Sequence, residues 1–288
     1  MHLAEPMIFA PELIQACSDN MSALAFTPDG KTVYFCKISN DTSSIVESHL
    51  QKGKWSMPVV ASFNDAYLNL EPAFIPSGKY IVFASSRPVD NSGVPLDGHY
   101  NDKVYTGKGG NLWRTDLSKH GWSKPVLLPS AVNSMSTVFS PAITADGSLY
   151  FMRADSGKKF HIYRCQVRKG NYEEPERLSF SNTSYGDFDP AVAPDDSFII
   201  FCSGRPPAPN TTDLFIVFRR KSGWSEPIDL REISPGVHGI EARLSPDVKT
   251  LYFSNSISPS GISNPGKRYT WQVDISAFLK KYQNGNTQ

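Results

Sequence analysis

The chain has 288 residues, 40% of them hydrophobic, and 29 basic against 28 acidic residues leave a formal charge of +1. That balance gives no global field for nucleic acid or an anionic membrane, so neither is expected as a partner. No run approaches the roughly 18 apolar residues that would span a bilayer, and 20 glycines and 22 prolines are scattered in a way that excludes collagen. The start, MHLAEPMIFAPEL, lacks a charged n-region and a long apolar stretch. A cytoplasmic location is therefore expected, or a periplasmic or secreted one if a leader has been removed. Cys17, Cys36, Cys165 and Cys202 lie far apart without CxxC spacing and are expected as buried small hydrophobes.

Taken in chain order, the first element is AEPMIFAPEL, a strand expected over about residues 4–14 that matches SEPIDL at Ser225 to Leu230 in register. Next comes TPDGKTVYF, Thr27 to Phe35, a tight turn running into an alternating apolar strand. Close copies follow as IPSGKYIVF, TADGSLYF, APDDSFIIF and SPDVKTLYF, with the turn position at Pro28, Pro76, Ala145, Pro194 and Pro246. A second signal follows in each of four units: WSMP at Trp55, WSKP at Trp122, YEEP at Tyr172 and WSEP at Trp224. Ten residues before each of those aromatics lies a β-favouring pair, beginning at Ile45, Leu112, Ile162 and Leu214.

Such a unit reads as four antiparallel strands, and a unit repeated at such intervals indicates a propeller blade. The expected fold is all-β: a single five-bladed β-propeller domain over 1–288, with blades at about 21–65, 70–133, 139–182, 188–232 and 240–280. The last unit lacks a fourth strand, and the N-terminal strand is expected to supply it, tying the two ends together. Aspartate and glycine serve the repeated turn; Val248, in the place of glycine, predicts a different turn in the fifth copy. The WSxP aromatics are expected to pack between blades.

The strings LAFTPDGKTVYFCK, PAFIPSGKYIVFASSR, PAITADGSLYFMR, PAVAPDDSFIIFCSGR and ARLSPDVKTLYFSNS resemble the TolB-like, WD-repeat-like β-propeller repeat family over nearly the whole chain. The resemblance implies the fold. For function it implies only a range, from periplasmic interaction modules to the substrate-gating propellers of prolyl-oligopeptidase-like peptidases. No separate N-terminal α/β domain is apparent, and neither a catalytic domain nor a G-x-S-x-G elbow is present.

Length variation is concentrated in the link from second to third strand, which spans 29 residues from Phe83 to Leu112 against 10, 11 and 13 elsewhere. Within the long link, Arg87 to Gly110, Asp97, His99 and Tyr100 are candidate ligand groups for sugar hydroxyls or a cation. The second candidate is the channel mouth. There the residues before each PA-like start are Ala23, Glu71, Ser140, Asp189 and Glu241, with Asp187 just upstream. Hairpin geometry predicts Glu71–Arg87 and Asp189–Arg205 ion pairs, with Arg153 in the equivalent place in the third unit. It leaves Glu241 unpaired near His238. The histidines show no HxH or HExxH spacing, so no metal site is assigned and no cofactor is expected, beyond a cation drawn to the acids of the channel mouth.

The reading that follows is a non-catalytic binding scaffold for a protein, peptide or glycan on the loop-bearing face, expected to be a monomer. The alternative is a carbohydrate-active or lactone-active enzyme, a hydrolase or lyase, working from carboxylates or a cation at the channel mouth. Unpaired carboxyls would favour the second, and arginine-neutralised ones the first.

Overall fold

A computed structural model describes residues 5–18, 20–39, 41–90, 92–181, 184–206, 212–232, 236–258 and 260–284. Five blades surround a central channel as a five-bladed β-propeller. Their inner strands are Met21–Phe26, Asn69–Phe74, Val138–Ile143, Asp187–Val192 and Ile240–Leu244. Each touches the inner strand of both neighbouring blades, which closes the ring. Among the described residues, no helix is long and apolar enough to cross a membrane.

Each repeated apolar segment forms the second strand of its blade. The phenylalanine ending each motif, Phe35, Phe83, Phe151, Phe201 or Phe253, is 0–1% exposed. These rings fill the space between adjacent sheets, where removing one would cost about 3–5 kcal/mol. Outer strands are short: Val59–Val60, Val126–Leu127, Glu176–Arg177 and Ile228–Asp229. The aromatic of each WSxP signal lies just before them, in the hairpin that links third to outer strand. Trp122 Nε1 donates to Tyr34 Oη of the preceding blade at 3.1 Å, and its ring packs edge-on against Tyr34 and Phe63.

The fifth blade takes its outer strand from the other end of the chain. Met7–Ile8 pairs antiparallel with Gln272 and Trp271 of the third strand, Tyr269–Asp274, and completes the sheet. The expected N-terminal strand is thus only two residues long, and Pro11–Ala16 is a helix, with proline in its first turn. Phe9 locks the closure, with its ring 5.8 Å from Phe26 and 5.1 Å from Tyr252, both edge-on. Phe9→Ala is expected to lower stability by about 3–5 kcal/mol, read as a shifted midpoint in denaturant. A midpoint equal to wild type would show that the closure does not hold the ring. At the other end, Ser276–Asn284 is a helix whose Phe278 and Tyr282 pack on Phe218 of the fourth blade.

The repeated turn is built by its own side chains. Asp29 Oδ1 accepts from Thr27 Oγ1 at 2.7 Å and from the Lys31 amide at 3.0 Å. The hydrogen bond from Thr27 holds the Asp29 carboxyl below its usual range. The fifth turn corrects the sequence expectation. Val248 adopts φ +60° and donates its amide to Ser245 O at 2.9 Å, as Gly30 does to Thr27 O at 2.8 Å. Asp247, bonded to Ser245 Oγ and the Lys249 amide, and the flanking strands over-determine the turn against a left-handed cost of about 1–2 kcal/mol.

Candidate functional site

Every inner strand carries the same irregularity. Its register against the second strand shifts between Ser22 and Ala25, Leu70 and Ala73, Phe139 and Ala142, Phe188 and Ala191, and Ile240 and Arg243. The first residue of each bulge is left-handed: Ala23, Glu71, Ser140, Asp189 and Glu241 have φ of 53°, 53°, 46°, 52° and 59°. A bulge re-aims the side chain it carries, and here five of them bring one position of the repeat together at the channel.

The side chains at that position bond from blade to blade. Glu71 Oε2 accepts the Ser140 amide at 2.7 Å, and Asp189 Oδ1 accepts from Ser140 Oγ at 2.6 Å. Asp189 Oδ2 accepts the Glu241 amide at 3.2 Å. Burial first, and then the charge of Asp189, push the Glu71 carboxyl up to about 7. Burial also raises Glu241, opposed by Arg268, whose Nη1 lies 2.9 Å from Glu241 Oε1. Beneath the ring, Cys36 Sγ accepts the Glu71 amide at 3.0 Å, and all four cysteines are free and buried.

These contacts reverse the expected pairing. Arg87 binds Asp65, with Nη2 at 2.6 Å, and stacks 4.6 Å from the Trp113 ring centre. Arg205 binds Asp187 at 2.8 Å and lies over Phe215, while Arg153 binds Asp155 at 2.7 Å and lies over Tyr163. In all three blades the arginine covers the third strand's aromatic. The bulge turns the acid toward the channel and out of reach, which a plain hairpin register does not foresee. Among the described residues, Glu241, expected to be unpaired, is the acid of the ring that has an arginine.

The remaining candidates lie elsewhere. Asp187 is wholly buried against Arg205, Ser181 and Ser203. His238 lines a lateral recess with Pro6, Asn255 and Trp271 at the closure of the fifth blade. The long link folds into a hairpin, Gly98–Tyr100 with Lys103–Tyr105. Asp97 Oδ1 accepts the Gly107 amide at 2.7 Å, Tyr100 stacks on Tyr105 at 4.1 Å, and His99 is exposed. Among the described residues no group of three or more His, Cys, Asp or Glu is placed to hold a metal ion.

A cavity of ≈ 230 Å³ opens on the face of the repeated turns, lined from all five blades. Its wall includes Ala25, Ala73, Ala142 and Ala191, and its rim Pro28, Pro76, Pro194 and Pro246. The fifth residue equivalent to those alanines is Arg243, which is 7% exposed. Nη1 donates to Ala242 O at 2.7 Å, whereas Nε and Nη2 are buried without partners. A search of the repeat for acids misses this residue. Its signal in the sequence is ARLSPD, where the other copies read LAF, PAF, PAI or PAV.

The fold and its central channel define a five-bladed propeller. No family model matches the sequence, and no curated protein does. Among solved structures, TolB from Acinetobacter baumannii is similar with a TM-score of 0.43 and 16% identity, over 72% of this chain and 44% of that one. The chain thus spans less than half of that protein's length. A protein of unknown function from Dyadobacter fermentans aligns with a TM-score of 0.54 and 12% identity, over 88% and 79% of the two chains. The catalytic domain of an alpha-L-arabinofuranosidase from Coprinopsis cinerea aligns at 0.54 and 11%, over 95% of each. At these identities the likeness extends to the fold alone.

Proposed function

We propose that the protein is a non-catalytic binding scaffold that receives a peptide or protein segment in its central channel. The observation that carries this reading is the cavity on the turn face, walled by alanines and prolines from the blades around it. Concave apolar sites with a few polar groups are where ligands bind. The apolar wall favours a peptide over a glycan, and it supports a site on the turn face in place of the loop-bearing one. Peptides selected on the wild-type protein from a displayed random library are expected to be apolar and to lose binding when the exposed rim residue Pro246 becomes glutamate. Selected peptides that bind Pro246→Glu unchanged, but fail on His99→Ala or Tyr100→Ala, would return the site to the loop face.

Two observations favour the enzymatic alternative, the first being that Arg87 and Arg205 pair with Asp65 and Asp187 and not with Glu71 or Asp189. The second is that Glu71 and Asp189 are bridged by Ser140, and Glu71 is raised to about 7. Carboxyls in unlike environments are how acid and base roles are divided. Turnover of aryl glycosides or lactones that disappears in both Glu71→Gln and Asp189→Asn would establish this reading. No turnover across such a panel removes it.

A further inference from the structure

We infer that Arg243 makes the turn-face cavity a receptor for the free carboxylate of an apolar peptide C-terminus. The inference rests on the binding reading above and names its ligand.

In four blades the position after the bulge is alanine, and the small side chain leaves the channel open. Arg243 places a guanidinium there instead, walled by apolar groups and 7% exposed. Its Nε and Nη2 have no acceptor, and a buried donor left unsatisfied costs about 1–3 kcal/mol. Nε and one Nη form the edge that binds a carboxylate with two parallel hydrogen bonds. The ring of acids beyond it feels the charge of Arg243, which opposes the rise of Glu71 and Glu241, but does not take those donors. Among the described residues, Glu241 pairs with Arg268 instead, and Nε and Nη2 stay buried without a partner. Among the described residues, the one charged group lining the cavity is therefore a cation with two buried donors that lack acceptors, and the rest of the lining matches aliphatic side chains. An apolar segment ending in a carboxylate satisfies both.

Titration calorimetry on the full chain at pH 7 tests this with acetyl-Ala-Ala-Leu-Leu as the free acid and as the C-terminal amide. Octanoate and octanamide form the second pair. The free-acid peptide is expected to bind at least about tenfold more tightly than its amide, the scale of one charge-assisted hydrogen bond. Arg243→Ala, which restores the residue of the other blades, is expected to abolish the difference, and Arg243→Lys to retain part of it. Equal binding of acid and amide would overturn the role of Arg243 while leaving the cavity as a binding site. Octanoate binding that needs Arg243 without any peptide binding would overturn the peptide as ligand. Absence of binding by all four probes overturns the inference, and the library selection then judges the binding reading separately.

Discussion

Arg205→Ala is expected to destabilise the protein by about 3–5 kcal/mol, the range for removing one partner of a buried ion pair. Asp187 is 0% exposed and depends on Arg205 Nη2 at 2.8 Å, Ser203 Oγ at 2.6 Å and Ser181 Oγ at 2.8 Å. Without the arginine, a carboxylate remains in the wall between blades with two hydroxyl donors and no cation. The guanidinium also donates to Phe180 O at 3.2 Å and covers Phe201 and Phe215, so alanine removes packing as well as charge. Denaturant unfolding of Arg205→Ala, Asp187→Asn and the double variant separates these contributions. The double variant is expected to be more stable than Arg205→Ala, because it no longer buries an unpaired charge. A loss below about 1 kcal/mol for Arg205→Ala, the level of exposed pairs, would contradict the assignment.

Glu71→Gln is expected to change how stability depends on pH. Burial and Asp189 raise the folded-state pKa of Glu71 from 4.5 to about 7. Below the lower value both states hold the proton, and the group adds no pH dependence. Between the two values the unfolded chain ionises while the folded one keeps its proton, so stability falls as pH rises. Above the higher value the loss is complete and reaches at most roughly 3.5 kcal/mol, at about 1.4 kcal/mol per unit. Glutamine keeps an oxygen for the Ser140 amide and never ionises. Across this window, from pH 4.5 to about 7, the variant should therefore gain on wild type, read as the difference in melting temperature at the two ends. A difference that stays constant across that range would show that Glu71 ionises normally.

Much of the fold is legible along the chain because one physical pattern recurs. Alternating apolar strands, a turn with aspartate and glycine, and aromatics at a fixed spacing each set a local geometry, and five copies leave only a closed ring to bury them all. The acids at the channel are legible for the same reason, since Glu71, Asp189 and Glu241 hold one position of the repeat. Their partners are not. A bulge inserts a residue without any marked change of composition, and it turns Glu71 and Asp189 away from the arginines that hairpin register predicts. Val248 departs from expectation likewise, because a local preference of about 1–2 kcal/mol yields to the strands on either side.

The blades, their number, the closure by the N-terminal segment and the position that faces the channel all follow from period and polarity, which are local properties that the chain displays directly. Which charges meet is a matter of three-dimensional packing alone. Arg87 goes to Asp65, Arg205 to Asp187 and Arg268 to Glu241, and Arg243 is left with donors to spare in an apolar cavity. Pairing depends on distances of a few ångströms between residues far apart in the chain, and those distances exist only once the ring has closed.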